Sequence, residues 1–197
     1  MPSQRTLTII AAVVALLALG AWMMITSARR KEQFATRALL EARMTAERGN
    51  LPLAATQFQQ LVDTYRGSDA SREALIGLNQ LRLVNGQSDL AAVSLREFIA
   101  TNPEPRYAAP AHGLLGAALE NAGRPADAAA SYQDAARLAP LDYLKAEYLL
   151  HAGRALLAAG KASEAQAAYE RVVNDYKETA SYTEAQVRLS ELTAGRT

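Results

Sequence analysis

The chain has 197 residues, half of them hydrophobic but only 6% aromatic, and its 21 basic residues nearly cancel 20 acidic ones. The absence of cysteine excludes a disulfide framework, a thiolate zinc site and a thiol nucleophile, and a net charge of +1 gives no global electrostatic case for nucleic acid as a partner. Much of the apolar half is alanine, which suggests closely stacked helices rather than a β-rich core.

The first predicted element is a membrane span. No side chain from Thr6 to Ala28 is charged, and Leu7 to Ile25 reads LTIIAAVVALLALGAWMMI. About 20 residues at a helical rise of about 1.5 Å cover roughly 30 Å, the thickness of a bilayer's hydrocarbon core. Trp22 lies near one end, where an amphipathic ring suits the interface. Residues 1–28 are therefore assigned as an N-terminal membrane anchor, with residues 7–26 contacting the lipid bilayer. A cleaved signal peptide is the competing reading and would make a secreted repeat protein. Arg5 supplies a positive n-region and Thr26-Ser27-Ala28 a loosely A-x-A-like site, but the apolar run exceeds the usual h-region of about 7–15 residues. Arg29, Arg30 and Lys31 follow the span and favour, by the positive-inside rule, a cytoplasmic C-terminal domain.

Residues 29–197 repeat with a period of 37 residues. Gly49, Gly86, Gly123 and Gly160 form one column; Ala54, Ala91, Ala128 and Ala165 form a second; Phe58, Leu95, Tyr132 and Tyr169 form a third. Such a period means stacked supersecondary units. Each glycine closes a first helix in the left-handed conformation. A helix-start signal follows: Pro52, Ser88 with Asp89, Pro125, and Ser163 with Glu164. The small alanine lets the two helices of a pair approach, and the bulky residue four positions later shares its face. Second helices end near Arg66, Pro103, Pro140 and Lys177. The copies fall near 35–68, 72–105, 109–142 and 146–179, and an amphipathic segment over 181–193 caps the stack. Pro103-Glu104-Pro105 marks either a break between two halves or a stiffened loop. Tyr65, Tyr107, Tyr143, Tyr148, Tyr176 and Tyr182 gather near the inter-repeat connections, where they pack over helix ends.

The third copy carries Leu115-Gly116, Leu119, Gly123, Ala128, Tyr132, Ala135 and Pro140, and in this it resembles the tetratricopeptide repeat. The fourth copy matches with Gly153, Leu156, Gly160, Ala165 and Tyr169, but has Val172 and Lys177 at the late positions. The second keeps Leu78, Gly86, Ala91 and Pro103, with Asn79 in place of the glycine, and the first is the most degenerate. The resemblance implies an all-α fold: one transmembrane helix, then a helical-hairpin solenoid of about four repeats and a capping helix. One span followed by repeats of this longer kind is also similar to the ancillary subunit of the bacterial Sec translocon and to the repeat domain of a cell-division coordinator. That likeness implies a role in protein translocation or envelope assembly at the bacterial inner membrane. It places the repeats in the periplasm, opposite to what Arg29, Arg30 and Lys31 suggest, and the expectation here follows the family.

No catalytic constellation, cofactor motif or metal-ligand spacing is recognisable, so an enzyme is not expected. His112 falls at an inter-helix packing position, and His151 lies on the first helix of copy four with Ala155 at i+4. The repeated glycines are too far apart to cradle one phosphate. What remains is a binding surface. In such folds the first helices line the concave face, and repeat register places Arg43, Glu73, Gln80, Asn121, Glu147 and Arg154 there, beside Leu39, Ile76, Val84 and Leu150. A polar face with apolar patches suits a protein partner: an extended peptide, a helix or a membrane-complex subunit. The pairs Leu39/Arg43, Ile76/Gln80, Gly113/Ala117 and Leu150/Arg154 lack the Lys and Asn of a carboxylate clamp. The expected function is a membrane-anchored interaction scaffold; the alternative is a structural subunit of a larger membrane complex.

Overall fold

The computed structural model describes the backbone of residues 4–194 and the side chains of residues 14–194. Among these residues the chain forms helices only: α1 (Gln4–Glu47), α2 (Leu51–Thr64), α3 (Asp69–Val84), α4 (Ser88–Ala100), α5 (Pro105–Asn121), α6 (Pro125–Leu138), α7 (Asp142–Ala158), α8 (Ala162–Asp175) and α9 (Ser181–Ala194). Pairs α1/α2, α3/α4, α5/α6 and α7/α8 are the four repeats, and α9 packs on α7 and α8 as the cap.

The glycine column sets the hairpins. Gly49, Gly86, Gly123 and Gly160 have φ of +82°, +73°, +69° and +75°. In the third repeat the amide of Gly123 donates to the Glu120 carbonyl and that of Arg124 to the Leu119 carbonyl, both at 2.9 Å. This double bond pattern satisfies two of the last carbonyls of the helix. The same pattern recurs at Gly49, Gly86 and Gly160. The residue after each glycine is at once the last donor of one helix and the N-cap of the next. Arg124 and Lys161 therefore stand at N-caps without side-chain capping, and only Asn50 accepts a bond there, from the amide of Leu53 at 3.3 Å. Ser88 and Ser163, read as helix-start signals, lie in the first turns of α4 and α8, after the N-caps Gln87 and Lys161.

The packing columns trade volume. Gly116 lies under the Tyr132 ring, where an added Cβ would sit 2.7 Å from Cδ1 and Cε1. Gly153 lies under the Tyr169 ring in the same way. In repeat two the pair is Asn79 with Leu95, and in repeat one Ala42 with Phe58; all four side chains are buried. Small against aromatic, or middling against aliphatic, keeps the helix pair at close-packed density. Asn79 brings polarity with its volume, and its amide donates to the Leu75 carbonyl (2.9 Å) and the Ser94 hydroxyl (3.1 Å). That satisfies a fully buried polar group.

The chain divides into two compact units, Met1–Ala74 and Leu75–Thr197, with the boundary inside α3 and not at Pro103-Glu104-Pro105. The first unit is built on Ala35, Leu39, Ala42, Ala54, Phe58 and Leu61. The core of the second runs from Ala91 and Leu95 through Leu115, Leu119, Tyr132 and Leu156 to Tyr169 and Val172. Tyr107, expected over a helix end, is buried in that core.

α1 runs without interruption through residue 28, the boundary read from the sequence between anchor and repeats. At about 1.5 Å per residue its 44 residues extend about 66 Å. Among the described residues no helix is long and apolar enough to cross a membrane. The apolar run of the expected span begins at residue 7, and side chains 7–13 lie outside the described residues. Its described part exposes Leu16, Leu17, Leu19, Trp22, Met23, Met24 and Ile25.

Candidate partner-binding face

In the second unit, first-helix side chains converge on His151 of α7. Its ring stacks on Tyr132 of α6, with centroids 5.1 Å apart and planes inclined by 24°. The Tyr132 hydroxyl donates to Glu120 Oε2 of α5 at 2.5 Å. Burial and this bond to a carboxylate both push the Tyr132 phenol far up, so it stays a donor. The Arg154 guanidinium meets His151 Nδ1 at 2.5 Å. Arginine can only donate, so Nδ1 accepts and the neutral ring carries its proton on Nε2. Nε2 lies 4.0 Å from Glu147 Oε1.

Burial lowers the His151 pKa most, and the Arg154 charge lowers it further; Glu147, Glu120 and Glu184 act the other way. The imidazole is therefore held neutral against the pull of three carboxylates drawn from α5, α7 and α9. Around it lie Glu120, Glu147 and Arg154, while Glu184 of α9 is 3.6 Å from Arg188 of the same helix. His112, by contrast, packs between helices 3.9 Å from Asp134, and burial is the chief cause of its lowered pKa.

The residues expected on this face are distributed unevenly. Glu147 and Arg154 are exposed and come together around His151. Arg43 and Glu73, in the first unit, form an ion pair at 2.6 Å with side chains 49% and 40% exposed. Gln80 is exposed. Asn121 is exposed at the end of α5 and donates to the Ser88 hydroxyl at 3.2 Å, tying two connections together. Of the apolar companions Val84 is exposed and Ile76 half-buried, but Leu39 and Leu150 are buried and offer a partner little surface. Sequence reading missed Glu120, assigned Tyr132 to packing and placed His151 on a first helix without a role. Periodicity alone marks Tyr132 as core; a signal for the site exists only in the departure of Glu120 and His151 from Leu83 and Leu114 one repeat earlier. Among the described residues no three His, Asp or Glu side chains are grouped to hold a metal ion.

Two open clefts lie elsewhere. One of about 510 Å³ is lined by Gln133, Asp134, Arg137, Glu164 and Arg171 between α6 and α8. One of about 290 Å³ lies between α1 and α2, beside Gln57 and Tyr65. Both are open surface troughs of mixed polar and apolar lining, the first including Leu149, Ala167 and Ala168.

Stacked helical hairpins whose first helices present polar side chains define a helical-repeat interaction module. The tetratricopeptide repeat-like domain matches residues 21–145, and a further tetratricopeptide repeat matches residues 147–179. The chain belongs to the tetratricopeptide repeat-like family. Proteins of this fold act as protein–protein interaction scaffolds. No curated protein sequence matches it. Among solved structures it is similar to MamA, at 19% identity and a TM-score of 0.65, over 79% of this chain and 84% of that one. It is likewise similar to MamA 41-end from Desulfovibrio magneticus RS-1, at 20% identity and a TM-score of 0.60, over 73% and 76%. PilW, a widely conserved type IV pilus biogenesis factor, matches at 19% identity and a TM-score of 0.62, over 77% and 67%. At these identities the likeness is one of fold.

Proposed function

We propose that the protein is a membrane-anchored scaffold that holds an extended segment of a protein partner on the face of α5, α7 and α9. The His151 cluster carries this reading: an aromatic stack with a fixed tautomer, bonded to Arg154, with Glu147 beside the ring and Glu120 held by the Tyr132 hydroxyl. Such a lining favours a segment bearing Lys or Arg, whose charge the carboxylates meet and whose stem lies on the ring stack. Residues 7–26 anchor the scaffold in the bacterial inner membrane, and the repeats face the periplasm, as in the Sec-accessory and cell-division proteins it resembles. The apolar run, the exposed side chains from Leu16 to Ile25 and the length of α1 support the anchor. An accessory role in translocation or envelope assembly follows from that location.

Site-directed photocrosslinking from position 154, with position 171 of α8 as control, tests the binding face in intact membranes. A membrane or envelope protein captured from 154 and lost with Glu147→Lys is the expected result. Equal capture from both positions, or none from 154, would overturn the assignment. A topology reporter fused after Thr197 tests the compartment, and release by carbonate extraction would remove the anchor.

A further inference from the structure

Basic side chains gather just beyond the apolar half of α1, and the tertiary structure adds to them. Arg29, Arg30 and Lys31 are consecutive and exposed. Consecutive helical residues point about 100° apart, so the three wrap more than half of the helix circumference. Arg29 follows Ile25 by four residues, a rise of about 6 Å. This is the depth at which headgroups lie if Trp22 and Ile25 mark the hydrocarbon edge.

A fourth cation arrives from the turn between α2 and α3. The Lys31 ammonium donates to the Arg66 carbonyl at 2.7 Å, which holds that turn against α1 at the level of the collar. The Arg66 side chain stays 80% exposed. The acid in the same run is turned away. Glu32 uses both carboxylate oxygens to accept the amides of Asp69 (3.1 Å) and Ala70 (3.0 Å) at the start of α3. Asp63 lies 3.6 Å from Arg66 in an exposed pair, which solvent screens heavily. Arg29 and Arg30 have no ion-pair partner among the described residues. The bond from Lys31 goes to a carbonyl and not to a carboxylate.

We propose that Arg29, Arg30, Lys31 and Arg66 form a collar that binds the headgroups of anionic phospholipids around the emerging helix. The proposal rests on the membrane-anchor reading and adds a lipid preference to it. Guanidinium and ammonium groups next to an apolar helix, with Glu32 engaged at the start of α3 and Asp63 in a screened, exposed pair, match a phosphodiester surface in charge. The same contacts seat the first repeat on the membrane surface through the α2–α3 turn.

Trp22 is the only tryptophan, so it reports on the lipids at the collar. The full chain is reconstituted in phosphatidylcholine vesicles containing either brominated phosphatidylglycerol or brominated phosphatidylcholine at equal mole fraction. The anionic quencher should act as though bound about fivefold more tightly, the effect of roughly one favourable charge contact. R29Q/R30Q/K31Q/R66Q should remove the preference. R66Q alone, which leaves the backbone acceptor of Lys31 in place, should reduce it. Equal quenching by the two lipids in the unaltered chain, or a preference that survives the fourfold substitution, overturns the collar. Absence of quenching by either lipid overturns the anchor reading itself.

Discussion

Gly153→Ala tests the volume trade that joins the helices of each repeat. A Cβ at this position would stand 2.6 Å from Cζ and 2.8 Å from Cδ1 of Tyr169. That ring is fully buried, so it has no free space into which to swing. Overpacking of this kind costs about 1–3 kcal/mol. Alanine in a helix interior returns about 1 kcal/mol over glycine. A rigid, enclosed ring puts the clash at the upper end, and the net destabilisation is about 1–2 kcal/mol. Gly113→Ala is the contrast. Its Cβ would meet Tyr148 Cε1 at 2.5 Å, but Tyr148 is only half-buried and can turn outward. The helix-propensity gain then offsets most of the cost. Urea unfolding of the full chain in mild detergent, followed by far-UV circular dichroism, measures both. The decisive step is a double-mutant cycle with Tyr169→Leu. The smaller side chain should accept the new methyl, so the two changes couple favourably by about 1 kcal/mol or more. A neutral Gly153→Ala with strictly additive Tyr169→Leu would refute the reasoning.

The other predictions follow from neighbouring features. Gly123→Ala has open space around its Cβ but a φ of +69°, so its cost of about 1 kcal/mol is purely backbone strain, measurable by the same unfolding curve. Asn79→Gly with Leu95→Tyr would install the pair used by repeats three and four; the double variant should be more stable than the sum of the two single changes, and additivity would count against size matching. His112 and His151 both have pKa values below 6.5, chiefly through burial. The unfolded chain then binds more protons, so their contribution to stability is complete above pH 6.5 and is lost as pH falls through the folded values. Stability measured at pH 7.5 and 5.5 should drop in acid, and His112→Gln/His151→Gln should flatten the drop.

Most of the fold is legible in the chain because its determinants are local. The 37-residue glycine column demands a positive φ at the end of each first helix, and all four residues have it. The alanine and aromatic columns name the seam of each hairpin. The face lined by first helices is legible only as a register. Leu39 and Leu150 share that register with Arg43 and Arg154, yet they are buried, since the angle at which neighbouring helices pack decides which side chains reach solvent. Ser88 and Ser163 do mark helix starts, but the N-caps are Gln87 and Lys161, because each connection is so short that one residue serves two helices.

By itself, then, the sequence determined the class of the protein: periodic helical hairpins, a capping helix and an apolar N-terminal run, each set by side-chain size, backbone freedom or hydropathy acting within a few residues. Tertiary structure decided what those helices bring together. The meeting of Glu120, Tyr132, His151 and Arg154 joins three helices, and the bond from Lys31 to the Arg66 carbonyl joins residues 35 apart. No local pattern encodes such contacts, because they depend on how one helix lies across another.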